Sequence, residues 1–234
     1  MEILIVNDGS TDHTQCIIEW YAENYSNVIS IYQENSGVPA ARNTGIRKAQ
    51  GDYIGFMDND DMLHPVMIAR LYGSAKKNDC DIAITSVYRI TNNGYEIFIQ
   101  YPLEENIAIT TEDFFNMLFR IGLGYTVVVW NKLYRASLIK TYPFPVITCD
   151  DSAWTPYILS YAEKICYLND YSYEYDRTIR KYTLVNQWLN ETKEERFMTY
   201  KELTLFYLKN GNSKRMRFLK ELAKNRLYCP VMLY

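Results

Sequence analysis

One pattern constrains the fold more than any other: three times in succession at its start, the chain runs from an apolar β-type segment through a polar turn into a helical pattern. Glu2 to Val6 leads into Asn-Asp-Gly-Ser-Thr-Asp at 7–12, and then to apolar residues at helical spacing, Ile17, Trp20, Tyr21 and Tyr25. Val28 to Tyr32 predicts a second strand, 34–38 a loop, and 39–49 a helix carrying Ala40, Ala41 and Ile46. Tyr53 to Met57 predicts a third strand, 58–61 a loop, and then a helix opened by Pro65, a residue suited to a first turn. Strands alternating with helices imply right-handed crossovers, hence an α/β fold with a mainly parallel sheet flanked by helices. Ligands of such sheets bind beyond the carboxyl ends of the strands, so the loops at 7–12, 34–38 and 58–61 should line one crevice.

Past a strand at Asp81 to Val87 the pattern loosens. It predicts a hairpin arm over Gly94 to Tyr101, a helix over Thr111 to Ile121 and a strand over Tyr125 to Trp130. A helix over Asp151 to Tyr161, a strand over Ile165 to Tyr175 and two closing helices, Leu184 to Lys209 and Lys214 to Leu227, complete the chain. At 234 residues it can hold one large α/β domain, taken as 1–180, with a helical extension over 181–234. A net charge of −3 argues against a nucleic-acid binder. Between Lys209 and Arg226, however, seven basic residues face Glu221 alone. That segment is either a solvated helix face or a peripheral contact with an anionic membrane surface. The five cysteines are scattered with no CxxC pair, so neither a disulfide framework nor a zinc site is suggested. The N-terminus lacks a signal-peptide pattern. The longest apolar run, Gly122 to Trp130, is well short of the roughly 20 residues of a membrane span. A cytoplasmic location is expected, at most peripheral at the inner face of the plasma membrane.

The third unit ends in Gly55-Phe-Met-Asp-Asn-Asp-Asp-Met-Leu-His-Pro65, which sets three carboxylates within four residues. At about 4 Å and an effective dielectric near 20, each like-charge pair costs about 4 kcal/mol, so solvent or a bound cation must offset the repulsion. Asp58 and Asp60 offer the oxygen ligands that Mn²⁺ or Mg²⁺ takes; alternatively one Asp caps the next helix and the others are solvated. An EF-hand is excluded, because Leu63 and Ala69 stand where Gly and Glu are required. His64, just before Pro65, reads as a helix-entry residue. In the first loop, capping by Ser10 or Thr11 accounts for the turn but leaves Asp8 at the strand end, able to accept hydrogen bonds from a base or ribose. In the second, Gly37 permits close backbone approach, and Arg42 either faces a diphosphate or joins a surface salt bridge.

Taken together, "ILIVNDGSTD", "QENSGVPAARNTGIRKAQGDYIGFMDNDDMLHP", "VWNKLYRASLI" and "CDDSAW" resemble the inverting nucleotide-sugar glycosyltransferases of family 2, which have the GT-A fold. The match runs in the family's order from residue 1 to about 180. The resemblance implies that Asp8 contacts the nucleotide base and Arg42 lies near the nucleotide or its phosphates. It implies that Asp58 and Asp60 form the family's Asp-x-Asp, with Asp60 the direct ligand of Mn²⁺ or Mg²⁺. Asp151 matches the catalytic base, with Asp150 standing where the family has Glu. Asn35, Asn59 and Trp130 join the substrate-binding set, Trp130 either stacking on a sugar ring or simply packing. The implied partners are a nucleotide-sugar donor, UDP-hexose or UDP-N-acetylhexosamine, and a glycan or lipid-linked acceptor.

The resemblance also carries departures. The family normally begins one strand and helix earlier, so a strand expected between Glu2 to Val6 and Tyr53 to Met57 is absent from this sequence. In "YSYEYDRTIRKYT" the family often has Arg and Ser, for which Arg177 and Thr183 are candidates. An alternative reading follows: an inactive, truncated remnant that binds a nucleotide or a partner.

Overall fold

The computed structural model describes residues 1–121, 128–145, 150–176 and 193–228. The three opening units form as the pattern requires: β1 (Ile3–Asp8), α1 (Thr14–Asn24), β2 (Val28–Gln33), α2 (Val38–Lys48) and β3 (Tyr53–Gly55). β1 and β2 pair in parallel, from Ile3 opposite Val28 to Asp8 opposite Gln33, so the loops that follow them emerge side by side. The stripe that marks α1 is exposed: Ile17, Trp20, Tyr21 and Tyr25 face outward, and Ile18 is the residue that α1 buries. Helical spacing locates a helix; which face turns inward depends on the strands it meets.

A two-residue strand, β4 (Met62–Leu63), precedes α3 (Met67–Asn78). The helix opens at Met67 rather than Pro65, because His64 to Val66 form a turn in which the Met67 amide donates to the His64 carbonyl. The His64 amide in turn donates to the Ser172 carbonyl, in keeping with a helix-entry role.

The remaining strands are β5 (Ile82–Thr91), β6 (Gly94–Ile99), β7 (Ala108–Thr110), β8 (Lys132–Arg135) and β9 (Lys164–Asp176), with helices α4 (Thr111–Ile121), α5 (Ala136–Thr141) and α6 (Asp150–Tyr161). They build a sheet in the order β3-β8-β5-β9-β4, with β6 added on β5 and β7 on β9. β5 and β9 are parallel, but β8 runs antiparallel to both of its neighbours, β3 and β5. β4, β6 and β7 also pair antiparallel. The sheet is therefore mixed rather than mainly parallel. The strand expected over Tyr125 to Trp130 does not stand as read: 122–127 fall outside the described residues, 128–131 contain a turn, and the strand is Lys132–Arg135.

β1 and β2 form a separate two-stranded sheet. The described chain opens on a strand, and the expectation of a further one between β1 and β3 is not confirmed. What ties this sheet to the next unit is Ile46, buried on α2, and Glu2, whose carboxylate accepts from the amides of Gln50 and Gly51 at 2.7 and 2.8 Å.

The core lies on both faces of the larger sheet. Ile82, Ala83, Ile84 and Val87 of β5 are buried, with Leu71 and Ala75 of α3, Phe114, Phe115 and Leu118 of α4, and Trp154 and Ile158 of α6. Each such large side chain contributes about 1.5–3 kcal/mol on burial. Of the closing segment, 184–192 lie outside the described residues; α7 (Lys193–Asn210), a 3-10 turn at Ser213–Arg215 and α8 (Met216–Tyr228) follow. Tyr207 donates to the Ser152 carbonyl and Tyr161 to the Asn210 carbonyl, each at 2.6 Å, so α7 covers α6 and fixes the helix that begins at Asp150. Among the described residues, no helix is long and apolar enough to cross a membrane.

Candidate active site

Asp8 ends β1, and its carboxylate holds the neighbouring loop. One oxygen accepts from Gln33 Nε2 at 2.7 Å and the Ser36 amide at 2.9 Å, the other from the Gly37 amide at 2.8 Å. Burial works against the charge, but these hydrogen bonds outweigh it and hold the carboxyl below its ordinary range. Gly9, at φ 74°, lets the first loop turn against the second; a Cβ there would lie 2.7 Å from the Asn35 nitrogen. Asn35 itself is exposed on this loop. Gly37, at φ 86°, turns the chain into α2, which delivers Arg42 from its second turn.

Beyond β3, Asp58, Asp60 and Asp61 each bring a carboxylate oxygen within 4.8 Å of the others. Asp58 is half-buried, Asn59 and Asp60 are exposed, and Asp61 is 5% exposed. Three hard oxygen donors at this separation fit Mn²⁺ or Mg²⁺. Asp61 Oδ2 accepts from the Tyr173 hydroxyl at 2.6 Å. Burial first, then the charges of Asp61 and Asp58, push the Tyr173 phenol well above its ordinary range, so it remains a protonated donor.

Arg42 reaches across the site. Its Nη1 donates to Asp151 Oδ1, and its Nη2 stands 3.3 Å from Asp58 Oδ1. The guanidinium also lies over the Phe144 ring, 5.3 Å from the centroid. Phe144 is held in place by Asn43, the next residue after Arg42, which donates to its carbonyl at 2.9 Å and accepts from its amide at 2.8 Å. Phe144 stacks on Trp154 at 3.9 Å, and Trp154 donates its indole N–H to the Tyr142 carbonyl. Asp151 and Trp154 share α6, so the packing that fixes the helix also fixes the carboxylate. Asp150 opens α6, and its side chain lies outside those described.

The remaining aromatic candidate sits elsewhere. Trp130 is 4% exposed, its ring stacked on Tyr173 at 4.1 Å and on Tyr175 at 5.6 Å. The structure therefore places Trp130 in the core, behind the acidic cluster, rather than on a face open to a sugar. Beside it, the Lys132 ammonium is fully buried and donates to the Val128 carbonyl at 2.6 Å and Asn131 Oδ1 at 2.7 Å. Burial pushes its pKa down to about 7, against the pull of the Asp151 charge. Tyr173 and Lys132 are absent from the sequence reading. The alternation in Tyr171-Ser-Tyr-Glu-Tyr175 puts Tyr173 and Tyr175 on one face, but nothing in it points to Asp61.

Comparison with known proteins decides the family: the model of "Glycosyl transferase family 2" matches residues 1–143, more than half of the chain. The chain belongs to glycosyltransferase family 2. Among curated family relatives, the uncharacterized glycosyltransferase YibD of Escherichia coli is 33% identical over 184 residues, covering 75% of this chain and 52% of YibD. Glycosyltransferase GlyA of Streptococcus pneumoniae is 31% identical over 204 residues, covering 80% of this chain and 28% of GlyA. The chain spans about half or less of the length of these relatives. In structure it is similar to residues 1–349 of S. aureus TarS in complex with UDP-GlcNAc, with a TM-score of 0.74 at 19% identity, over 97% of this chain and 63% of that one. A mannosyltransferase of Pyrobaculum calidifontis in complex with GDP-Man and Mn²⁺ gives a TM-score of 0.55 at 15% identity, over 98% of this chain and 63% of that one. The fold is GT-A.

Proposed function

We propose that this family 2 glycosyltransferase moves a sugar from a nucleotide-sugar, a UDP-hexose or UDP-N-acetylhexosamine, to a glycan or lipid-linked acceptor, with inversion at the anomeric carbon, in surface polysaccharide synthesis. The observation that carries the reading is the bridge made by Arg42 between Asp151 and the acidic cluster at Asp58. It sets a carboxylate suited to general-base work beside a group of cation ligands, the pair of functions that displacement at a sugar carbon requires.

In this reading Asp60, with Asp58, holds the divalent cation, Mn²⁺ or Mg²⁺, and Asp61 supports them from its bond to Tyr173. When bound, such a cation supplies Lewis-acid stabilisation of the departing diphosphate. Asp8, Asn35, Asn59 and Arg42 bind the nucleotide, with Asp8 keeping its charge through its amide bonds. Asp151 accepts the proton of the acceptor hydroxyl as its oxygen attacks the anomeric carbon from the face opposite the diphosphate. In this reading residues 1–180 carry the chemistry, and the helices α7 and α8 lie beyond that part of the chain. The basic stretch 209–226 gives peripheral contact with the cytoplasmic face of the membrane, although Arg215 serves the fold, donating to the Ser160 carbonyl and pairing with Glu163.

A panel of UDP- and GDP-sugars, incubated with Mn²⁺ and assayed for released nucleoside diphosphate, tests the reading. Turnover of one donor is expected, with a loss of at least about a hundredfold in Asp60→Ala, the scale on which electrostatic stabilisation of a leaving group acts. No turnover of any donor, or equal turnover by wild type and Asp60→Ala, would favour a binding module instead.

A further inference from the structure

Arg42 is held from three sides: by Asp151, by Asp58 and by the Phe144 ring, itself fixed through Asn43. A planar guanidinium fork can serve two carboxylates at once because its N–H groups point in fixed, divergent directions. Both carboxylates have other work in the reading above, which this inference deepens: Asp58 toward the cation and donor, Asp151 toward the acceptor. A diphosphate arriving beside Asp58 competes for the same guanidinium, since phosphate oxygens form strong charge-assisted bonds with it. A guanidinium drawn toward the diphosphate on the Asp58 side moves away from Asp151, to which its Nη1 donates.

We infer that Arg42 is a shared cation that couples the two half-sites. In the unliganded enzyme it engages the Asp151 carboxylate; donor binding draws the guanidinium toward the diphosphate and leaves Asp151 oxygens to accept the acceptor's proton. The base is thus brought into play by the donor, and the acceptor is activated once a sugar is in place to receive it. Arg42 acts here as a positioning residue for Asp151, through an ion pair that donor binding reweights. Because coupling is reciprocal, weakening the Arg42–Asp151 pair must strengthen donor binding, although Asp151 belongs to the acceptor side.

The test is a double-mutant cycle on the affinity of UDP, or of GDP if that is what the wild type binds, measured calorimetrically in the presence of Mn²⁺. Asp151→Asn removes the carboxylate charge and leaves its shape; it is expected to tighten nucleotide binding by about fivefold or more. In an Arg42→Gln background, and in Arg42→Lys, which keeps the charge without the fork, the same substitution is expected to change affinity by less than about twofold. Affinity unchanged or weakened by Asp151→Asn in the otherwise native chain overturns the inference. So does an equal gain in Arg42→Gln, the signature of plain repulsion between Asp151 and the nucleotide, or in Arg42→Lys, which would show that a charge without the fork suffices. If the wild type binds neither nucleotide, the donor-site reading itself fails, a result distinct from a wild type that binds but shows no coupling. Thermal unfolding of each variant accompanies the titrations, so that a misfolded protein is not counted as a weak binder.

Discussion

Tyr173 and Asp61 illustrate what single residues contribute around the acidic cluster. Asp61 is buried, and the Tyr173 hydroxyl donates to it at 2.6 Å. Tyr173→Phe takes away that donor while keeping the ring stacked on Trp130. A buried acceptor that loses a donor costs about 1–3 kcal/mol, so the midpoint of urea unfolding should fall accordingly at neutral pH. An unchanged midpoint would show that the bond does not support the cluster. Asp58, Asp60, Asp8 and Arg42 stand out in the sequence by residue type and loop position and Asp151 by the family resemblance, and the structure brings Arg42 to both Asp58 and Asp151. Tyr173 and Lys132 do not stand out, and the choice between stacking and packing for Trp130 stays open there, because burial and partners far along the chain are not encoded by local spacing.

At the scale of elements, the first two loops depend on a turn that only glycine makes cheaply. Gly9 combines a φ of 74° with an approach that leaves a Cβ 2.7 Å from the Asn35 nitrogen. Gly9→Ala incurs backbone strain of about 1–3 kcal/mol and pushes the Asn35 loop away from Asp8, so both stability and nucleotide affinity should fall. Retention of both would contradict the placement of the loops. The opening strand-turn-helix units were readable because each is local: β1, α1, β2 and α2 follow from runs and turns within a few residues. The mixed sheet was not. β8 lies between β3 and β5, running against both, and that order is decided by contacts between segments some 50 to 80 positions apart, such as Gly55 with Leu133 and Ile82 with Tyr134. The exposed stripe of α1 makes the same point, since helical period gives a face but not its direction.

For the molecule as a whole, the fully buried Lys132 ties stability to pH. In the unfolded chain this lysine titrates near its ordinary value of about 10.4; in the fold, burial lowers it to about 7. Between those values the unfolded chain holds a proton that the folded chain has released. Stability therefore climbs as pH rises through that window, by at most about 1.4 kcal/mol per pH unit, and the contribution flattens below about 7. Lys132→Met, followed by urea unfolding at pH 7, 8 and 9, should show a shallower rise than the native chain. Parallel curves would place the lysine outside this account.

The same fold carries the chemical claim, that a cation and nucleotide site at Asp58 and Asp60 works with a separate base at Asp151. The most direct measurement compares the native chain with Asp151→Asn in sugar transfer from the donor identified by the panel to oligosaccharide acceptors, alongside Mn²⁺-dependent nucleotide binding. The account predicts transfer reduced by about 10²–10⁴-fold, the usual contribution of a general base, with nucleotide binding tightened rather than lost. Transfer by Asp151→Asn at close to the native rate would contradict it.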